Sequence, residues 1–176
     1  MLVLAVAVPL VVAVIVLSHV LAPRTGSPAA VASSGKSSAA RADLPVLPVA
    51  VPPVTPAADA SCPKLMSSLP FELTGAVSRQ VRSDTPYAYA WGDPPIVLRC
   101  GVPSPAGFVA GSGLIQINGV QWYVDTADPA ATVWTTVDRP VGVEVRVPAS
   151  LDSASVTELT GVIAKTLPFR EPTPRK

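Results

Sequence analysis

The sequence contains a single histidine among 176 residues, and that histidine, His19, lies inside a long apolar run. A Ser-His-Asp or Cys-His catalytic arrangement needs an imidazole beside the nucleophile, so the rest of the chain cannot supply one. The same shortage argues against a zinc site, because zinc takes several Cys or His ligands and only two cysteines are present. We therefore predict no catalytic grouping, no metal and no cofactor.

Charge and aromatic residues are also scarce. Charged residues make up 14% of the chain, aromatic residues 5%, and the net charge is only +1. Nucleic-acid-binding surfaces need clustered Lys and Arg, so we predict no nucleic-acid partner. The glycine-rich stretch 107–113 lacks the Gly-Lys-Ser/Thr ending of a phosphate-binding loop, and we interpret it as a loop before a strand.

Residues 2–22 are almost all Val, Leu, Ala and Ile and carry no charge. This run is long enough to cross a bilayer, so residues 1–22 are predicted to be a transmembrane anchor, or a signal-like segment if cleaved. We expect a cell-membrane protein with its domain outside the cytoplasm, or a secreted one after cleavage. The positive-inside rule gives the opposite orientation, because no Lys or Arg precedes the run whereas Arg24 follows it. We therefore also hypothesise that the native start lies upstream of Met1.

The composition divides the remaining chain into three parts. Residues 23–60 are rich in Pro, Ala and Ser and predict a disordered linker. Residues 61–168 predict an extracytoplasmic domain, and residues 169–176 a flexible tail. Within the domain lie Cys62 and Cys100, which we predict to form one disulfide, because paired cysteines after an export-like segment favour one. Two buried free thiols are the alternative.

A β-hairpin is the most specific local signal. Asn118-Gly119 suits a type I′ turn, which needs positive φ at both central residues. This turn predicts that Ile117 opposes Val120 and that Ile115 opposes Trp122. Further alternating runs predict strands over residues 96–100, 132–137 and 141–147.

Two helices complete the predicted fold. One covers residues 61–69 with Ser61 as N-cap, and the other covers residues 152–167 with a capping box from Ser155 to Glu158. The proline-rich stretch 70–95 is predicted to be irregular. The fold class is thus predicted as α+β: a five-stranded, mostly antiparallel sheet with two helices on one face, preceded by a transmembrane helix and a disordered linker.

Three aromatic residues, Tyr87, Tyr89 and Trp91, alternate just before the strand at residues 96–100. Aromatic residues beside a sheet usually pack on it, which predicts a loop folded over the sheet edge. The alternative hypothesis is a contact surface for a partner or a glycan.

Three segments carry a family resemblance: Pro94-Pro-Ile-Val-Leu-Arg-Cys-Gly-Val-Pro103, Ile117-Asn-Gly-Val-Gln-Trp122 and Val133-Trp-Thr-Thr-Val-Asp-Arg139. They resemble an uncharacterised family of actinobacterial proteins, secreted or anchored by a single span, with a domain of unknown function. The likeness covers about residues 62–167 and the apolar run. It implies an envelope location and brings no activity, ligand or catalytic residue with it.

These patterns lead to three hypotheses. The first is a membrane-tethered binding or accessory module of the cell envelope, attached through residues 2–22, with an envelope protein or cell-wall component as partner. The second is a hydrolase that uses carboxylates such as Asp93, Asp125 or Asp138. The third is a folding or stabilising role within a membrane complex. The first hypothesis favours a protein that is not an enzyme.

Overall fold

Short strands dominate the part of the chain that the structure describes. The computed structural model describes residues 44–176. The helices are α1 (Pro56–Ser67) and α2 (Ala154–Thr166). The strands are β1 (Leu47–Pro48), β2 (Glu72–Leu73), β3 (Ala76–Arg79), β4 (Val81–Arg82), β5 (Ala88–Trp91), β6 (Ile96–Val102), β7 (Ile115–Ile117), β8 (Val120–Asp125), β9 (Ala131–Thr136) and β10 (Gly142–Pro148).

Eight of these strands form one antiparallel sheet in the order β2-β3-β5-β6-β10-β9-β8-β7. Strands β6 and β10 are neighbours at its centre although a long stretch of chain separates them. Strands β1 and β4 form a separate, parallel pair, in which Leu47 is opposite Val81. The sheet therefore joins an N-terminal half, β2 to β6, to a C-terminal half, β7 to β10.

The hairpin prediction is confirmed. Strand β7 pairs with β8 so that Ile117 is opposite Val120 and Ile115 is opposite Trp122. Asn118 and Gly119 have φ values of 46° and 77°, which lie in the left-handed region that a type I′ turn requires. The turn residues alone thus fix which side chains of β8 face the core.

The core lies between one face of the sheet and the two helices. Alternate residues of β6 and β10 are buried, as period-two side-chain direction requires. Trp122 and Trp134, on neighbouring strands, meet edge to face with ring centroids 6.3 Å apart. Ala58, Cys62 and Leu65 of α1 and Val156, Leu159 and Ile163 of α2 belong to the same buried cluster.

Helix α1 begins earlier than predicted. Its N-cap is Thr55, whose Oγ1 accepts a hydrogen bond from the Ala58 backbone N–H at 3.2 Å, so the prediction of Ser61 as N-cap is wrong. Pro56 occupies the first turn, where the missing N–H costs nothing. The proline-rich composition of residues 23–60 suggested a linker, but here Thr55 followed by Pro56 begins a helix.

The disulfide prediction is confirmed. Cys62 of α1 and Cys100 of β6 are bonded, with Cα atoms 5.8 Å apart, and both are almost fully buried. The bond fixes α1 to the centre of the sheet. The next residue, Gly101, has φ +88°, and a Cβ there would lie 2.9 Å from the Ala58 Cβ, so glycine permits both the backbone turn and the close approach of α1.

Helix α2 is not capped as predicted. Its N-cap is Ser153, which makes no side-chain cap hydrogen bond. Ser155 lies inside the helix and is buried, and Glu158 Oε2 accepts a hydrogen bond from the Thr74 N–H at 3.2 Å. The predicted capping box is therefore wrong, because Glu158 is used to hold the turn between β2 and β3.

Residues 44–55 form an N-terminal arm that lies along the domain before α1. Its backbone donates two hydrogen bonds of 2.9 Å, from Leu47 to the Gln80 carbonyl and from Val49 to the Arg82 carbonyl. Arg79, which is buried, donates from Nη2 to the Pro45 carbonyl at 2.9 Å. The disordered linker predicted over residues 23–60 is therefore wrong over its last part.

The predicted fold class is wrong. The described residues are mostly β, with an eight-stranded antiparallel sheet, a small parallel pair and two helices, rather than a five-stranded α+β fold. The prediction missed the strands within residues 70–95 because each is only two to four residues long, too short for alternation to be visible.

The segment predicted to cross a membrane is not among the residues that the structure describes. Residues 2–22 and the linker before residue 44 fall outside the described residues. Within residues 44–176, no helix has the length and apolar character needed to cross a membrane.

Candidate functional site

Four side chains form a row across the face of the sheet opposite the helices. Glu144 on β10 is paired with Arg99 on β6 and with Thr135 on β9, and Thr135 is paired with Tyr123 on β8. Directly opposed residues project from the same face, so these four side chains lie in one line. They alternate with Leu98, Val145, Trp134 and Trp122, which enter the core.

One end of the row is an ion pair. Glu144 Oε1 accepts hydrogen bonds from Arg99 Nε at 3.0 Å and from Arg99 Nη2 at 2.6 Å. The Glu144 side chain is 15% exposed and that of Arg99 is 31% exposed. Arg99 Nη1 also donates to the Ala50 carbonyl at 2.9 Å, so the pair holds the N-terminal arm against the sheet.

The other end of the row is a tyrosine that touches a loop. The Tyr123 ring lies beside the buried Phe108 ring, with centroids 6.2 Å apart. A Cβ at Gly107 would lie 2.1 Å from the Tyr123 hydroxyl oxygen, so only glycine leaves space for the phenol. Among the described residues this hydroxyl makes no hydrogen bond, which leaves it available to a ligand.

A groove of about 670 Å³ lies over this row, and we call it the sheet-face groove. The row forms its floor, together with Val133 and Asp125. Its rim consists of Ala50, Val51 and Pro52 of the arm, residues 102–106 at the end of β6 and in the loop after it, and Arg175 of the C-terminal tail. The Arg175 N–H donates to the Phe108 carbonyl at 3.0 Å, so the tail predicted to be flexible is bound to this loop.

A second cleft of about 740 Å³ adjoins the groove, and we call it the proline cleft. The two share Pro52, Val102, Pro103 and Ser104. The proline cleft is largely apolar and carries three charged residues. Its further lining residues include Pro53, Phe108, Arg139, Pro140, Val141, Arg170 and Glu171. The arm, the segment 102–104 and the tail thus line two adjoining clefts.

A buried ion pair lies in the wall of the proline cleft. Asp138 is fully buried, and its Oδ2 lies 3.3 Å from Arg139 Nη1 and accepts the Gln121 N–H at 2.9 Å. Arg139 also donates to the carbonyls of Asp138 and Gly119, each at 2.9 Å. Asp138 Oδ1 and Arg139 Nε have no hydrogen-bond partner among the described residues.

Burial raises the pKa of the Asp138 carboxyl above its ordinary value of 3.8. The Gln121 N–H and the Arg139 guanidinium act in the opposite direction and offset only part of this rise, because removing a carboxylate from water costs more than these contacts return. The pair positions the connection between β9 and β10, and with it the Arg139 side chain, at the edge of the cleft.

The predicted aromatic contact residues belong largely to the core. Trp91 is fully buried and donates from Nε1 to the Pro70 carbonyl at 2.9 Å. Tyr87 is also buried and donates to Asp59 Oδ1 at 2.5 Å, a bond that raises the pKa of Tyr87. Tyr89 is half-buried, with its ring centroid 4.7 Å from that of Trp91. Two of the three side chains, Tyr87 and Trp91, are therefore unavailable to a partner, because they are buried in the core.

The carboxylates considered for hydrolysis are not brought together. Asp93 lies in the turn after β5, exposed and 3.7 Å from Arg79. Asp138 bonds to Gln121 near the start of β8, whereas Asp125 ends that strand, about 13 Å farther along it. Asp125 is exposed and accepts the Ala127 N–H at 2.9 Å. No two of these carboxylates face each other across either cleft.

Sequence patterns did not single out the row on the sheet. Alternation along residues 96–100 and 141–147 indicates that Arg99 and Glu144 point away from the core, but it does not indicate that β6 and β10 are neighbours. The signal that could have found them is the opposite charge of two central, outward-facing residues. Within residues 44–176, no group of His, Cys, Asp and Glu could hold a metal ion.

Comparison with protein families gives one match that covers nearly the whole chain. Residues 4–172 match a family described as "Protein of unknown function (DUF3515)". No curated protein and no solved structure shows significant similarity to the chain.

Proposed function

The chain belongs to the DUF3515 family, and because that family has no established function, we propose from the geometry of this member that it is a tethered binding module of the cell envelope. The observation that carries the proposal is the pair of adjoining clefts, the sheet-face groove and the proline cleft. Sites for small ligands and peptide segments are usually concave, largely apolar and furnished with a few placed polar groups. Both clefts fit that description.

The arm connects the proposed site to the N-terminal part of the chain. Pro52 lies in the walls of both clefts, and Ala50 is bonded to Arg99 of the row. A tether would therefore enter the domain through the arm, beside the clefts. We propose residues 2–22 as the anchor of this tether, because their length and lack of charge suit a bilayer span.

The disulfide supports an extracytoplasmic location. Stable disulfides form in oxidising compartments and are rare in the cytosol. The bond between Cys62 and Cys100 is buried between α1 and the sheet and leaves no free cysteine among the described residues. We propose that the partner is an envelope protein or a cell-wall component that meets the clefts on the outer side of the membrane.

Protease accessibility tests the location. A C-terminal epitope tag on the full chain should be removed by protease added to intact cells from which the wall has been stripped, and the protein should fractionate with membranes. A cytosolic protein carrying the same tag is the control. Protection of both tags from the protease, or recovery of the protein in the cytosol alone, refutes the extracytoplasmic proposal.

Site-specific crosslinking tests the binding role. A photoreactive amino acid at Ser104, on the rim shared by both clefts, should capture a partner in intact cells. The matched control places it at Ser67, which is exposed at the end of α1 and lines neither cleft. Equal capture at both positions, or none at Ser104, contradicts a binding role for the clefts.

A further inference from the structure

We propose that the sheet-face groove binds a neutral saccharide, with Tyr123, Glu144 and Thr135 as the contacting residues. This inference rests on the proposed binding function and names its ligand class. The groove has a volume of about 670 Å³, within the range of sites that enclose small organic ligands. A short oligosaccharide lying across the strands would follow the row of side chains.

The charges of the groove cancel. Its lining contains two arginines, Arg99 and Arg175, and two carboxylates, Asp125 and Glu144. Arg99 is already engaged by Glu144 Oε1 and by the Ala50 carbonyl. With no excess of either sign, the groove offers no field that would select a phosphate, a carboxylate or a cation. A neutral ligand with many hydrogen-bonding groups matches this lining better than an ion does.

The polar atoms that remain open suit hydroxyl groups. Glu144 Oε2 makes no hydrogen bond to any described residue and can only accept one when ionised. The Tyr123 hydroxyl likewise has no partner among residues 44–176, and a phenol both donates and accepts. A sugar hydroxyl also donates and accepts, so adjacent hydroxyls of one ring can satisfy both kinds of group.

The Tyr123 ring supplies an apolar surface beside these polar atoms. It is half-buried, it lies beside the Phe108 ring, and its hydroxyl lies so close to Gly107 that a Cβ there would be only 2.1 Å away. A ring fixed in this way loses little conformational freedom on binding. The C–H faces of a sugar ring can pack on it while the hydroxyls of the sugar reach Thr135, one strand farther along the row, and Glu144, two strands farther.

The floor of the groove argues against an extended peptide as the ligand. Along the row, β6, β10 and β9 are each paired with a neighbouring strand on both sides, whereas β8 is paired with β9 on one side and with β7 only at residues 120–122 on the other. The backbone N–H and C=O groups at Arg99, Glu144 and Thr135 are therefore used within the sheet, so a peptide could not add a strand over this part of the floor. Recognition here depends on side chains, which favours a ligand that carries its own hydroxyl groups.

Calorimetry on the purified full-length chain in detergent tests the inference. The probes are tetra-N-acetylchitotetraose, maltotetraose and a synthetic peptide of residues 44–55. We expect one of the two saccharides to bind with a Kd of about 1 mM or tighter and the peptide not to bind. Binding of neither saccharide, or of the peptide alone, overturns the inference.

Two variants locate the binding. Tyr123→Phe removes one hydroxyl and should weaken saccharide binding about fivefold, the effect of one hydrogen bond. Tyr89→Phe removes the matched hydroxyl from a half-buried tyrosine on β5, which lines neither cleft, and should leave binding unchanged. Equal affinities of both variants and the wild type, with unchanged melting temperatures, exclude the groove as the site.

The outcome is separable from that of the proposed function. Saccharide binding is measured on the isolated protein and does not depend on its location. If no saccharide binds while Ser104 still captures a partner in cells, the ligand class is wrong and the binding module remains. If a saccharide binds while the protein is found in the cytosol, the proposed location fails alone.

Discussion

Arg99 and Glu144 face each other across β6 and β10, and the arginine joins that carboxylate to the Ala50 carbonyl of the N-terminal arm. A single side chain therefore connects the central strand pair, the floor of the sheet-face groove and the segment that forms its rim. The backbone of the arm is held by hydrogen bonds from Arg79 and Arg99 and by its pairing with β4. The first prediction follows from this arrangement.

Arg99→Met should loosen the arm. Loss of the hydrogen bond to Ala50 should speed hydrogen exchange at the Leu47 and Val49 amides, which donate to Gln80 and Arg82. The partly exposed pair with Glu144 should contribute about 1 kcal/mol to the free energy of unfolding. Arg146→Met is the control, because Arg146 pairs with Asp128 on the same face without touching the arm. Equal exchange rates in both variants would contradict the assigned role.

Removing the disulfide should destabilise the domain. The Cys62→Ala/Cys100→Ala variant removes a crosslink between residues 38 positions apart in sequence. In the chain-entropy account this lowers the free energy of unfolding by about 4 kcal/mol. Urea denaturation of the oxidised protein, the reduced protein and the variant would measure the loss. Native protein should resist alkylation until it is reduced; labelling without reduction would contradict the bond.

A methyl group at Gly101 should disturb the junction of α1 with β6. Gly101→Ala combines a positive φ with a Cβ 2.9 Å from the Ala58 Cβ, and should cost about 2 kcal/mol in unfolding free energy. Gly111→Ala is the matched control, since Gly111 has φ +85° and open space around it. Its cost should be about 1 kcal/mol, from backbone conformation alone. Equal losses in the two variants would show that contact with α1 is unimportant.

The buried Asp138 should make stability depend on pH in a recognisable direction. Its folded pKa is raised above the unfolded value, so the folded state binds this proton more tightly. The free energy of unfolding should therefore fall as pH rises from about 3.8 through the folded pKa. Asp138→Asn should lack this component and, because its amide oxygen still accepts the Gln121 N–H, should cost less than about 1 kcal/mol at neutral pH.

Two further variants, Asp138→Ala and Asp128→Asn, serve as controls for Asp138→Asn. Asp138→Ala also removes the acceptor and leaves the partly buried Gln121 N–H without a partner, which should cost about 3 kcal/mol. Asp128→Asn should change the pH dependence in the opposite sense, because the hydrogen bond from Arg146 lowers the pKa of Asp128. Its stabilisation is present above the unfolded pKa and is lost as pH falls through the folded value. A flat difference between wild type and Asp138→Asn over this range would contradict the raised pKa.

Local turn chemistry was readable from the sequence, whereas pairing between distant segments was not. Asn118-Gly119 predicts its own register because only those two residues and their neighbours decide it. Strands β2 to β5 are stabilised by pairing with neighbouring strands. Each is only two to four residues long, which is too short for an alternating pattern to reveal a strand. The helix start at Thr55 was missed because proline-rich composition outweighed the cap signal.

The candidate site was hidden for a related reason. Arg99 and Glu144 are adjacent only because β6 lies beside β10, and Tyr123 joins them only through β9. The cysteine pair was predictable because its chemistry has few alternatives. The aromatic residues of β5 were ambiguous in sequence, and burial of Tyr87 and Trp91 resolved them as packing residues.

The arm's parallel pairing with β4 also has a mechanical meaning. A pull applied at residue 44 along the arm would act along its strand direction, so the bonds at Leu47 and Val49 would be sheared together rather than peeled one after another. The hydrogen bonds from Arg79 to the Pro45 carbonyl and from Arg99 to the Ala50 carbonyl would share that force. The pairing with β4 and the two arginine hydrogen bonds would therefore bear the force before it reached Thr55 and began to unwind α1.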